Sequence, residues 1–112
     1  MDISRISQLY ELANKGDFET QRAWLTDDYR HHVLALGIDW DGPDAALAGL
    51  RQTWQSLSLE WTAERVEEHG VFAVSFSTVM SSLRSDSFQA VNIYRWEGDL
   101  IAEGWVFIPP LG

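Results

Sequence analysis

Val91-Asn92-Ile93-Tyr94-Arg95-Trp96-Glu97-Gly98-Asp99-Leu100-Ile101-Ala102-Glu103-Gly104-Trp105 reads as two strands folded back on each other. Apolar and aromatic residues alternate with polar ones on both sides of Glu97-Gly98-Asp99, a tight-hairpin signal. Upstream, Val71 to Met80 carries the same period of two, as does the stretch from Leu57 that fades into Glu67-Glu68. His69-Gly70 and Arg84-Ser85-Asp86 mark the turns between them, and Pro109-Pro110 closes the sheet. Toward the N-terminus the period lengthens. Ile3, Ile6, Leu9, Tyr10 and Ala13 recur at spacings of three and four, predicting a helix capped by Asp2 and ended by Gly16. Asp17 caps a second helix carrying Phe18, Trp24 and Leu25, which Asp27-Asp28 end. Tyr29 to Leu36 then reads as a short strand. Gly42-Pro43-Asp44 opens a third helix that runs to Gln55, with Leu47, Leu50 and Trp54 on one stripe. Helices followed by a meander of long strands predict an α+β domain with helices on one face of a curved antiparallel sheet.

The length of 112 residues sets one domain, residues 1–112, without linker, repeat or low-complexity stretch. Eight basic against 17 acidic residues give a net charge of −9, which repels phosphate and argues against nucleic acid and anionic membranes as partners. The absence of cysteine removes disulfides and thiolate chemistry. With no signal segment and no apolar run long enough to span a bilayer, a cytoplasmic location is expected. Six tryptophans are many for such a chain, and they must fill a core, line a cavity or make an interface.

The order of elements, with Asn14-Lys15-Gly16-Asp17-Phe18, Trp24-Leu25-Thr26-Asp27-Asp28-Tyr29, Gly42-Pro43-Asp44-Ala45-Ala46-Leu47 and the closing hairpin Val91–Trp105, resembles the SnoaL-like branch of the nuclear transport factor 2-like superfamily. Ketosteroid isomerase, scytalone dehydratase and limonene epoxide hydrolase belong to that superfamily. The resemblance implies a cone-shaped, cystatin-like domain in which helices and the concave sheet face enclose an apolar pocket. It also implies a homodimer through the outer sheet face. The fold hosts isomerases, cyclases, dehydratases, hydrolases and pure binding domains, so it does not choose among them.

Alternation puts Phe88, Ala90, Asn92, Tyr94 and Trp96 on one face of their strand, and Glu103, Trp105 and Phe107 on one face of the next. Each set is aromatic surface interrupted by a hydrogen-bonding group, the make-up of either a small-molecule site or an ordinary core. Asn92 falls where ketosteroid isomerases carry a protonated acid that donates to an enolate oxygen. The isomerase tyrosine falls on Leu9 and the isomerase base near Val33, so two of three positions do not match. Glu103 is the carboxylate expected in the pocket, where desolvation would suit it to general acid/base work; the alternative is a salt bridge to Arg95. Only one of His31 and His32 can face the pocket. The isomerase pattern selects His31 and the SnoaL-like pattern His32, either of which could pair with Glu103 as a proton-transfer dyad.

Trp105 and Trp54 are expected in the cavity and Trp40 at its mouth, with Tyr94, Phe107 and Phe88 as further contacts. Trp24 is assigned to helical packing, and Trp61 and Trp96 to core or dimer contact. Asp27, Asp28, His31 and His32 lack metal-ligand spacing, Asp39 and Asp41 read as a solvated acidic loop, and no phosphate loop or serine elbow is present, so no metal or cofactor is expected. Three functions follow: a cofactor-free enzyme that cyclises, isomerises or dehydrates a polyketide-like or other apolar ring compound; a non-catalytic binder of an apolar small molecule; and an epoxide hydrolase.

Overall fold

The computed structural model describes residues 3–83 and 87–108. The expected cap at Asp2, the Arg84-Ser85-Asp86 turn and the Pro109-Pro110 stop lie outside the described residues. The elements run α1 (Ser4–Asn14), α2 (Phe18–Arg22), β1 (Leu25–Val33), a 3-10 turn (Leu34–Leu36), β2 (Ile38–Asp41), α3 (Pro43–Leu57), β3 (Leu59–His69), β4 (Phe72–Ser81), β5 (Ser87–Glu97) and β6 (Leu100–Phe107).

Local chemistry accounts for the helix boundaries. Helix α1 buries Ile6, Leu9, Tyr10 and Ala13, the stripe its spacing predicts. Gly16 then adopts φ +74°, and a Cβ there would come within 2.7 Å of the Trp54 ring. The Asp17 carboxylate accepts from the Thr20 amide at 3.2 Å, capping α2. That helix ends at Arg22, earlier than the sequence suggests: Trp24 already accepts through its carbonyl from the Ile101 amide at 2.9 Å, tying the chain to the sheet. Asp27 and Asp28 therefore sit in β1, not at a helix end. They occupy its irregular, exposed portion, where Arg22 pairs with Asp27 at 3.3 Å and with Asp44 at 3.1 Å. Pro43 opens α3 as expected. The helix continues through Leu57, since Leu47, Leu50 and Leu57 all face the cavity from its stripe.

The six strands form one sheet in the order β2-β1-β6-β5-β4-β3. Its pairs are antiparallel except β1 with β6, which run parallel, so the sheet is not the wholly antiparallel one expected. Irregularities in β1, β3 and β6 interrupt the register, and such bulges bend and twist a sheet. Strand β2 replaces the acidic loop read from Asp39 and Asp41. Asp39 lies opposite His32 and Asp41 opposite Arg30, while Trp40 lies opposite His31. The acids point outward to basic partners and the tryptophan inward.

The main core unites Ile6, Phe18, Ala46, Tyr94, Trp96 and Ile101 between the helices and the concave sheet face. Trp40 lies across Gly49 of α3, where a Cβ would come within 2.4 Å of the indole. Helix propensity alone makes Gly49→Ala stabilising by about 1 kcal/mol. Overpacking against Trp40 dominates here, and we expect a net loss of about 2 kcal/mol, read as a fall in Tm on the order of 8 °C. A rise in Tm would show that the indole is free to move.

Candidate functional site

A cavity of about 210 Å³ opens between the helices and the concave face of the sheet. Leu36 and Leu57 are its exposed lining residues, which puts the mouth between the 3-10 turn and the end of α3. Most of the wall is apolar; Gln21 and Thr53 are bonded to the backbone carbonyls of Leu9 and Gly49, and the other polar lining residues fall into two clusters.

The first cluster joins α1, β4 and β5. Asn92 Nδ2 donates to the Tyr10 hydroxyl at 2.6 Å and to the Tyr94 hydroxyl at 3.2 Å. Tyr10 donates to Ser75 Oγ at 3.0 Å, and the two phenol oxygens are 3.3 Å apart. All four residues are buried. Burial pushes both phenols above their ordinary range, so they stay protonated. Asn92 Oδ1 has no hydrogen-bond partner among the described residues.

The second cluster belongs to β1. The Tyr29 hydroxyl and His31 Nδ1 are 2.8 Å apart, and His31 stacks on Trp40 with ring centroids 5.6 Å apart. His31 Nε2 likewise has no partner among the described residues. Burial, reinforced by the neighbouring His32 charge, pushes the His31 imidazole down to about 4. It is a neutral ring at pH 7. Gly104 of β6 makes room for this cluster: a Cβ there would lie 2.7 Å from the Tyr29 oxygen and 3.2 Å from His31 Nδ1.

His31, Asn92, Tyr94, Trp40 and Phe88 thus line the cavity. The remaining expected site residues do not. Glu103, Trp105 and Phe107 project from the opposite face of the sheet, because β6 carries one extra residue. Trp96 pairs with Ile101, but Arg95 pairs with Glu103 and Tyr94 with Gly104, leaving Ala102 unmatched. In an unbulged hairpin Tyr94 would face Glu103. The bulge inverts every later position of the strand, so Gly104 and Val106 share the side of Tyr94 and Asn92. Trp54 also lies off the cavity, packed edge-on against Phe18 with centroids 6.0 Å apart. Trp61 lines the cavity and Trp96 is core, so neither occupies the outer face. Trp24 packs at the core margin beneath Arg5.

His32 and Glu103 do meet, on the outer face. His32 Nε2 is 2.6 Å from Glu103, and Nδ1 is 2.5 Å from Asp39. Hydrogen bonding to Asp39, then to Glu103, raises the His32 pKa. Arg95 donates to the other Glu103 oxygen at 3.4 Å, the salt bridge considered as the alternative role of this acid. Among the described residues no group of three His, Cys, Asp or Glu is arranged to hold a metal ion, and no helix is long and apolar enough to cross a membrane.

Sequence reasoning missed Tyr10, Ser75, Tyr29 and Gly104. Tyr10 and Ser75 were accessible from periodicity: Tyr10 lies on the buried stripe of α1, and Ser75 alternates with Ala73 and Ser77 on the inner face of β4. Tyr10, one residue past the Leu9 position expected from the isomerases, is the residue that contacts Asn92.

A family model described as a SnoaL-like domain matches residues 6–104. The chain belongs to the SnoaL-like family. No curated protein matches the sequence. Among solved structures, IdmH, a candidate polyketide cyclase from Streptomyces antibioticus, is 18% identical over 93% of this chain and 88% of its own, with a TM-score of 0.80. A candidate ketosteroid isomerase from Kribbella flavida is 16% identical over 92% of this chain and 73% of its own, with a TM-score of 0.81. A protein of unknown function with a cystatin-like fold, from Methylobium petroleophilum, is 15% identical over 92% of this chain and 72% of its own, at TM-score 0.81. These likenesses establish the cystatin-like, nuclear transport factor 2-like fold of this SnoaL-like chain.

The two histidines give opposite pH limbs. His31 protonates near 4 when folded and near 6.5 when unfolded, so its contribution is complete above pH 6.5 and lost as pH falls toward 4. The shift corresponds to about 3 kcal/mol. His32 has a raised folded value, so its contribution is complete below pH 6.5 and lost as pH rises from there through the raised folded value. Urea unfolding from pH 4 to 9 should show both limbs, and His31→Gln should flatten the acid one. An unchanged acid limb in that variant would refute the assignment.

Proposed function

We propose that this SnoaL-like protein is a cofactor-free acid/base catalyst acting on a small apolar ring compound with a C–H beside a carbonyl. The observation that carries the reading is His31, a neutral imidazole in an apolar cavity, facing an ordered Tyr10–Asn92–Tyr94 network. With Nδ1–H donating to the Tyr29 oxygen, His31 Nε2 offers a lone pair to the substrate proton. The Tyr94 hydroxyl, held by Asn92, donates to the carbonyl oxygen as charge develops there. Returning the proton to another carbon isomerises the substrate. Attack of the enolate carbon on a second carbonyl forms the C–C bond that closes a ring, the resulting alkoxide takes the proton back from His31, and loss of water from that alcohol is a dehydration.

An epoxide hydrolase needs a carboxylate to activate water, and that reading loses its support because Glu103, the carboxylate expected in the pocket, lies across the sheet from the cavity. A non-catalytic binding role has one observation in its favour: an imidazole with a pKa of about 4 is a weak base.

2-Tetralone in D₂O separates the two readings, with exchange of the protons beside its carbonyl followed by NMR. The enzyme reading expects wild-type protein to accelerate exchange, His31→Gln to lose about 100-fold or more, and Glu103→Gln to keep most of the wild-type rate, since Glu103 acts on His31 only through the charge of His32. Binding of the ketone without acceleration would decide for the binding role.

The same fold supports a homodimer through the outer sheet face, where Phe72, Met80 and Phe107 are exposed and Trp105 packs near Phe72. Sedimentation should give twice the chain mass, and Phe72→Glu should shift it toward the monomer. A wild-type monomer at high concentration would refute this.

A further inference from the structure

We propose, on the reading of the cavity as a ligand site, that it takes a compact molecule of one or two fused rings carrying a hydroxyl group, and rejects a four-ring skeleton. Size is the first ground. The cavity measures about 210 Å³, more than the ~150 Å³ apolar cavity that holds benzene and less than the roughly 300–1,000 Å³ of pockets for drug-sized ligands. Its walls have little room to retreat. Trp40 already lies against Gly49 of α3, and Tyr29, His31 and Tyr94 crowd the surface of Gly104. Enlarging the space means displacing these contacts as a set.

Hydrogen-bond accounting is the second ground. Both hydrogens of the Asn92 amide are spoken for, one on Tyr10 and one on Tyr94. Its Oδ1 is a buried acceptor with no partner among the described residues. Such an atom is satisfied only by a donor, and a ligand hydroxyl supplies one. His31 Nε2 is the other unpartnered side-chain atom of a lining residue. None of the described lining residues carries a formal charge at neutral pH, so an anionic or cationic ligand would be desolvated without compensation. The ligand class is therefore a neutral, mostly apolar ring compound with a hydroxyl for Asn92.

Calorimetric titration of wild-type protein at pH 7 with 2-naphthol, naphthalene and a four-ring steroid ketone tests this. We expect 2-naphthol to bind about tenfold tighter than naphthalene, and the steroid ketone to give no binding heat. Asn92→Leu should erase the preference for 2-naphthol while retaining naphthalene; the wild-type comparison stands even if that variant fails to fold. Steroid binding as tight as 2-naphthol overturns the size limit, and equal affinity for naphthalene and 2-naphthol overturns the role of Asn92. If no probe binds, the cavity is not a ligand site and the proposal falls with it. Tight 2-naphthol binding without tetralone exchange refutes catalysis alone and leaves the ligand class supported.

Discussion

One extra residue in β6 determines what this molecule can do. Ala102 has no partner on β5, so the hairpin changes register between Trp96 and Arg95. A strand alternates its side chains with a period of two, and a single insertion moves every later residue to the other face. Val106 thereby joins Asn92 and Tyr94 in the cavity wall and Gly104 comes to lie against Tyr29, His31 and Tyr94, while Glu103 and Trp105 are carried outside. Had the hairpin remained regular, a carboxylate would stand beside Tyr94 and no room would exist for the Tyr29–His31 pair. A strongly aromatic, acid-free cavity is the direct consequence.

The same alternation lets β1 hold two adjacent histidines in opposite chemical states. His31 and Trp40 form the inner cross-strand pair, and His32 and Asp39 form the outer one. Inside, there is no counter-charge, and desolvation keeps the ring neutral. Outside, two carboxylates surround His32 and favour its protonated form. The charge on His32 in turn disfavours a second charge on His31, so the outer cluster helps keep the inner ring neutral. Chemistry on one face of the sheet is tuned by ions on the other.

Much of this architecture was legible in residues alone. The stripe of α1, the Asp17 cap, Pro43 at the start of α3 and the turn at Gly98 are local signals, each decided within a few residues of chain. Boundaries failed where tertiary contacts override local preference. Helix α2 stops short because Trp24 is bonded to β6, and Asp39 with Asp41 become a strand because β1 offers His32 and Arg30 opposite them. Of the site, Asn92, Tyr94 and Phe88 were placed on the cavity face from alternation and resemblance together, Trp40 was expected at the mouth, and the choice between His31 and His32 was open. Glu103, Trp105, Phe107 and His32 were misplaced or left undecided, and Trp54 proved to be packing over Gly16.

The sequence by itself determined the α+β class, the family and the inner face of β5, since these depend on periodicity and local turn chemistry. Only the tertiary structure decided which face of β6 and which histidine meet that wall. Faces of different strands are related through register, and register is set by bulges whose position follows from packing of the whole sheet. Ala102 carries no sequence signal as a bulge, being neither glycine nor proline. It becomes one because Ile101 beside it is fully buried, Ala102 itself is nearly so, and Glu103 finds Arg95 and His32 outside.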